Sequence, residues 1–307
     1  MVRLALKVDV DTLRGTREGV PRLLALFARM NVRATFLFSL GPDHTGRAIR
    51  RAFRPGFFAK VQRTSVLSHY GLKTLLYGTL LPGPDIGRRC ASIMRAAEAA
   101  GHETGIHTWD HVVWQDGVAA ASREWTMHPM RLAHARFVEI FGHAPRTHGA
   151  AGWQMNAYAL QELDRWGLAY ASDGRISDPM QGAYRVMLDG VIQNCIQLPT
   201  TLPTLDELIG VEGMDAAGAA RHLLSLTAPP QTHVFTLHAE LEGCKLLDTL
   251  EDLLRGWRAQ GYILGALQES YLEVEPAHLP IHEFAVGSVS GRSGTLMVPG
   301  ASVATPA

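Results

Sequence analysis

The sequence predicts an α/β fold built on a parallel sheet, and three observations point to it. Apolar, strand-like runs alternate with helix-period segments along most of the 307 residues, a pattern that favours a parallel sheet covered by helices. No Gly-x-Gly-x-x-Gly turn is present, so a barrel is expected rather than a doubly wound dinucleotide fold. The residues with the richest chemistry fall at the C-terminal ends of strands, where such folds keep their sites.

Leu4 to Val10 alternates and runs out into Asp-Val-Asp, the pattern of a buried strand with a polar end. Thr16 is expected to cap a helix whose apolar face is Val20, Leu23, Leu24, Phe27 and Met30. Arg33 to Leu40 reads as a second strand, closed by Gly41-Pro42. After an interruption at 44–84, a helix from Ile86 to Ala100 is stopped by Gly101 and followed by a strand at His102 to Ile106. A helix at 121–141 ends at Gly142, and 144–150 is strand-like. Further strands are expected at Ala169–Ser172, Val191–Leu198, His233–His238 and Ile263–Ala266, with helices at 155–166, 216–226 and 245–259. Residues 1–275 are expected to form a single catalytic domain. The remainder, 276–307, is rich in Gly, Ser and Pro and reads as a loosely ordered tail.

Composition excludes several classes. With 47% apolar residues the chain is not disordered, and 29 Lys plus Arg against 29 Asp plus Glu argues against a nucleic-acid partner. Cys90, Cys195 and Cys244 make no Cys-x-x-Cys unit, so neither a disulfide framework nor a thiolate zinc site is expected. Asp9 falls where a signal peptide needs an apolar run, and nothing approaches ~18 uninterrupted apolar residues. A cytoplasmic location with no transmembrane helix follows as the expectation, and no obligate protein partner is inferred. The zero net charge is uneven, however. Seven cations and no Asp or Glu lie in 44–84, interleaved with residues such as Phe53, Phe57, Phe58, Tyr70, Leu75 and Leu80. A basic, apolar insertion of this kind suits a membrane surface, and a helical hairpin packed on the barrel is the plainer alternative.

Three small groups carry chemistry. Asp9 and Asp11 sit two apart on a strand and so share a face. His107 and His111 have the i, i+4 spacing that places two imidazoles on one side of a helical turn, with Asp11 as the natural third metal ligand. His238 ends the apolar strand Val-Phe-Thr-Leu-His. Together they supply a base, three ligands and an acid, the composition of a metal-assisted hydrolase.

Asp-Val-Asp after the first strand, Gly-Ile-His-Thr-x-x-x-His and a late Leu-His resemble, in that order, the successive motifs of the polysaccharide deacetylase superfamily. A narrower resemblance runs through FLFSLGPDHTGRA, GIHTWDHVVWQD, AAGW at 150–153, YASDGR at 170–175 and QLPTTLPTLDELIG at 197–210. These stretches are similar to a bacterial branch of 4-deoxy-4-formamido-L-arabinose-phosphoundecaprenol deformylases. The resemblance implies an irregular (β/α) barrel with an insertion after the second strand. It also implies hydrolysis of a formamide on an undecaprenyl phosphate-linked sugar, for lipid A modification and polymyxin resistance, at the cytoplasmic face of the inner membrane. Deacetylation of another amino sugar, or an inert membrane- or carbohydrate-binding module, are the alternatives.

By the same resemblance Asp9 is the general base, and His238 the general acid. Asp11, His107 and His111 hold one divalent metal ion: zinc, cobalt or manganese. Arg47, Arg50, Arg51, Ala151, Trp153, Asp173 and Arg175 are expected at the substrate, Asp173 as an orienting partner of His238. One departure stands out. Gly149 occupies the place where the superfamily carries an Arg before Pro-Pro-Tyr-Gly, which leaves Arg146 and Arg175 as candidates for the cation that holds Asp9.

Overall fold

The computed structural model describes residues 2–48, 74–176, 182–292 and 294–303. In chain order the strands are β1 (Arg3–Val10), β2 (Thr35–Ser39), β3 (Glu103–Thr108), β4 (Tyr170–Ala171), β5 (Arg185–Leu188), β6 (Val191–Ile192), β7 (Ile196–Gln197), β8 (His233–His238), β9 (Ile263–Gly265), β10 (Ile281–Gly287) and β11 (Leu296–Val303). The α-helices are α1 (Val20–Met30), α2 (Ile86–Ala99), α3 (His111–Gly117), α4 (Arg123–Phe141), α5 (Ala157–Arg165), α6 (Leu205–Leu208), α7 (Ala216–Leu226), α8 (Leu247–Ala259) and α9 (Leu267–Tyr271).

β1 is the axis of the molecule, and its period of two sorts the chain into an outer and an inner face. Leu4, Leu6, Val8 and Val10 are fully buried in the main apolar core, which also takes Leu23, Phe27, Met94, Phe137, Leu253 and Trp257 from the covering helices. Each such side chain stabilises the fold by roughly 1.5–3 kcal/mol. The opposite face carries Lys7 and Asp9 into a polar interior, where Thr200 and Thr236 hydroxyls meet at 2.6 Å.

The parallel sheet runs β3-β2-β1-β8, with β9 also pairing with the start of β1. Beyond β3 the ring continues through isolated hydrogen bonds. Gly149 N–H donates to Ile106 O (3.0 Å), Ser172 N–H to His148 O (2.8 Å), Leu198 N–H to Ala171 O (2.8 Å) and Thr201 N–H to Val234 O (3.0 Å), which leads back to β8. The result is an irregular α/β fold whose parallel sheet is extended by single bridges. This is why 144–150 is not a strand: only 147–149 borders β3, and the chain then turns into a short 3₁₀ segment at Ala151–Trp153.

Other expectations also shift. Thr16 is not a cap. It lies in a π-helical turn, Gly15–Gly19, that feeds directly into α1, and its hydroxyl donates to Thr12 O at 2.8 Å. Val191–Leu198 is two short strands, β6 and β7, because the Asp164 carboxylate takes the Asn194 and Cys195 N–H groups and bends the chain between them. The tail is not loose: β10 and β11 pair antiparallel, β10 adds in parallel to β5, and Ile281, Leu296 and Met297 are buried. Its Gly and Ser residues are concentrated in the connection between those strands. Most of the 44–84 insertion, including Arg50 and Arg51, lies outside the described residues. Its root is anchored by Gly46 N–H on Tyr77 O at 2.9 Å.

Candidate active site

β1, β3 and β8 deliver the site at their C-terminal ends. Asp9 lies near the end of β1, and Asp11 directly follows it on the same face. His107 belongs to β3, whereas His111 is the first residue of α3. The i, i+4 pair therefore spans a strand-to-helix junction and not one helical turn, with ring centroids 5.3 Å apart. Asp110 makes the junction sharp. One of its oxygens caps α3 through Val113 N–H (3.2 Å), and the other is held by His44 Nδ1 at 2.5 Å. His44 belongs to the root of the insertion, so the insertion braces the helix that presents His111.

The donor set fits a divalent cation. His107 Nε2 and Asp11 Oδ1 are 3.1 Å apart, His111 Nε2 and Asp11 Oδ2 are 3.4 Å apart, and one donor atom from each residue lies within 4.8 Å of the others. His107 Nδ1–H donates to Gly149 O at 2.6 Å, which leaves Nε2 as a bare lone pair. A lone pair facing a buried carboxylate oxygen is repulsive unless a cation lies between, and neither atom has a hydrogen-bond partner. Burial alone would raise the Asp11 carboxyl, but positive charge at the His111 and His107 rings, or on a cation they share with it, outweighs this and holds the group below the ordinary range.

Asp9 is 3% exposed and points one oxygen, Oδ2, at Lys7 Nζ (3.5 Å); Oδ1 accepts no hydrogen bond. His238 ends β8 across from Asp9, with which it is paired in register. Burial disfavours its charged form, but the carboxylates of Asp206, Asp11, Glu242 and Asp9 prevail and push its pKa up to about 9. Asp206 Oδ1 is 4.0 Å from His238 Nδ1, and the Glu242 carboxylate accepts the His238 backbone N–H at 2.8 Å. These two carboxylates take the place expected of Asp173. That residue accepts instead from His148 Nδ1 (2.6 Å), Ala150 N–H (2.9 Å) and Gln197 Nε2 (3.0 Å), and so pins the loop before Trp153.

The other expected substrate residues are engaged inside the protein. Ala151 and Trp153 are buried, and Arg175 clasps Glu207 with two bonds of 2.8 and 3.2 Å. Trp153 adopts φ +55° directly after Gly152 at +62°, a strain of about 1–2 kcal/mol for a bulky residue. Its indole N–H on Thr200 Oγ1 (3.1 Å) and three cations on its ring (Arg292 at 4.3 Å, Arg175 at 4.8 Å, Lys7 at 5.2 Å) hold it there. Arg47 is half-buried at the insertion root, donating to Gly78 O at 3.1 Å.

Sequence reasoning missed Lys7, Glu240, Glu242, Asp206 and Arg292. Glu240 is the least visible and the most consequential for the metal site. One of its oxygens accepts from Asp11 N–H (3.0 Å), Thr12 N–H (2.8 Å) and Thr12 Oγ1 (2.8 Å), fixing the backbone that carries the Asp11 ligand. A Cβ on Gly15 would lie 1.9 Å from that oxygen, so glycine there makes the room.

Known proteins place this arrangement. The sequence profile of the polysaccharide deacetylase family matches residues 4–171. A protein from Shewanella sediminis named as a probable 4-deoxy-4-formamido-L-arabinose-phosphoundecaprenol deformylase is 34% identical, over 96% of this chain and 94% of its own. One of the same name from Wigglesworthia glossinidia brevipalpis is 30% identical over 91% and 96%. In fold, the chain is similar to crystal structures of a putative polysaccharide deacetylase from Mycobacterium smegmatis (TM-score 0.59, 17% identity, 90% of this chain and 92% of that one) and a probable one from Pseudomonas aeruginosa PAO1 (0.58, 16%, 88% and 89%). The chain belongs to the polysaccharide deacetylase family.

Proposed function

We propose that the chain is an amide hydrolase that removes the formyl group from 4-deoxy-4-formamido-L-arabinose carried on undecaprenyl phosphate, giving formate and the amino-sugar lipid. The observation that carries this reading is the end-to-end similarity to relatives named as probable deformylases of that substrate. The geometry supports it, because the site holds the groups that amide hydrolysis requires.

Asp11, His107 and His111 would hold a divalent cation, which would supply Lewis acidity to the carbonyl and lower the pKa of water. Asp9 takes the proton from the attacking water through Oδ1, the oxygen left open by Lys7. His238 gives its proton to the sugar nitrogen as the C–N bond breaks, since an amine leaves only when protonated. The surrounding carboxylates favour the protonated form of His238. An acid of raised pKa is active below that value and is lost as pH rises through it. The rate should therefore fall on the alkaline side, at a pH below about 9 because a bound cation draws the imidazole down. His238→Gln is expected to abolish this alkaline limb and lower kcat by about a hundredfold or more. A pH–rate profile that keeps the limb in the variant would remove His238 from the acid role.

The 44–84 insertion brings the site to its lipid at the cytoplasmic face of the inner membrane. Its seven cations and apolar residues, Leu80 among them at 81% exposure, support peripheral attachment. No helix among the described residues is long and apolar enough to cross a membrane. Replacing 49–73 by a short linker spares His44 and the root contacts. The shortened chain is expected to leave anionic vesicles in a flotation assay while retaining metal. Continued co-flotation would contradict a membrane role for the insertion.

Formate release from the lipid-linked formamide, measured with and without metal, tests the reaction itself, and acetate release from N-acetyl sugars separates it from deacetylation.

A further inference from the structure

We propose that Lys7, on β1, is the positioning residue for the Asp9 base. The inference rests on the hydrolytic reading above and deepens it. Lys7 and Asp9 lie two apart on β1, and Asp11 keeps the same period just past its end, so cation, base and metal ligand stack on one inner face, deepest first. Lys7 has no solvent exposure. Its ammonium lies 3.5 Å from Asp9 Oδ2, donates to Ser172 O at 3.0 Å and rests on the Trp153 ring.

A buried ammonium costs several kcal/mol unless it is paired, and an aliphatic side chain would fill the same space without that cost. Its placement beneath Asp9 has a geometric consequence. With Oδ2 held by Lys7, only Oδ1 is presented to water beside the metal ligands, 3.8 Å from His107 Nδ1.

Gly149 gives the second, independent observation. A Cβ there would lie 2.3 Å from Leu37 Cδ1 and 2.9 Å from Lys7 Cε, so Leu37 and, beside it, the stem of Lys7 occupy the room a side chain at 149 needs. The backbone of Gly149 is not in the left-handed region, so glycine is required for space and not for conformation. The absent Arg at 149 and the buried Lys at 7 are thus complementary. The two arginines considered from sequence do not compete. Arg175 is committed to Glu207, and Arg146 is exposed, with its charge acting on Glu103 at the opposite end of β3.

The test compares Lys7→Met, Lys7→Arg and a relocated cation, Lys7→Ala/Leu37→Ala/Gly149→Arg, with its control Lys7→Ala/Leu37→Ala. Readouts are kcat and KM on the lipid-linked formamide, and bound zinc or cobalt per chain. Lys7→Met should lose about a hundredfold in kcat, with KM within about threefold and full metal content, because an unsteered base costs orientation and not binding. Lys7→Arg should retain kcat within about tenfold, and the relocated cation should exceed its control by about tenfold or more. If Lys7→Met does not fold, the last two comparisons decide. Lys7→Met within about threefold of wild type, a parallel loss of metal, or a relocated cation no better than its control overturns the proposal. An active wild type beside an undiminished Lys7→Met defeats this inference alone. A wild type that releases no formate defeats the functional reading and this inference with it.

Discussion

Asp9→Asn is expected to lower kcat by about a thousandfold or more while the protein still binds one metal ion per chain. The amide is nearly isosteric with the carboxylate but cannot take a proton, and Asp9 is not among the three grouped ligands. Lys7 then faces a neutral oxygen, so some loss of stability accompanies the loss of rate, as breaking a buried charge pair requires. Single-turnover rates together with metal analysis separate the two effects. A variant within about tenfold of the wild-type rate would show that another group accepts the proton.

His107→Ala is expected to fail differently. It removes one of the three donors and also the ring hydrogen bond to Gly149 O that sets the tautomer. Loss of an outer-shell partner alone typically costs 10–100-fold in metal affinity, so loss of the ligand should cost more than about a hundredfold. Metal content after gel filtration should drop close to zero, and hydrolysis with it. Excess zinc or cobalt should restore little, since two ligands hold a cation poorly. The contrast is diagnostic: Asp9→Asn is inactive and loaded, His107→Ala inactive and empty. A His107→Ala chain that keeps its metal would contradict the ligand set.

How much of the fold and site is legible in the sequence depends on the range of the interaction. β1 was readable because Leu4, Leu6, Val8 and Val10 alternate with inner-face residues, a purely local signal. Asp9, Asp11 and His238 were readable for the same reason, as they mark the polar ends of apolar strands. The spacing of His107 and His111 was visible but ambiguous. Four residues suit either a helical turn or a strand running into a helix, and only the pairing of Thr108 with β2 decides for the second.

The misses share a physical cause. Lys7 obeys the period of two that exposed Asp9 and Asp11, yet a lysine in an apolar strand is conspicuous only once its buried surroundings are known. Glu240 grips Asp11 and Thr12 from more than 220 residues away, and nothing local distinguishes it from a solvated charge after a strand. The true partner of Asp173 is hidden, because the sequence does not reveal that His148 lies beside it in the irregular wall. The overall Gly, Ser and Pro content of the tail hides β10 and β11, which flank the glycine-rich connection, pair with each other and join the sheet through β10 on β5.

The central claim is that this site hydrolyses a formamide on a lipid-linked sugar by means of a metal held on Asp11, His107 and His111. Its most direct test is to incubate the purified chain with undecaprenyl phosphate-linked 4-deoxy-4-formamido-L-arabinose and follow formate release, with the lipid mass read in parallel. The expected result is stoichiometric formate and a lipid lighter by one formyl group in exchange for hydrogen, abolished by chelation and restored by a divalent metal. Intact substrate in the presence of bound metal, or turnover undiminished in a fully chelated chain, would contradict it.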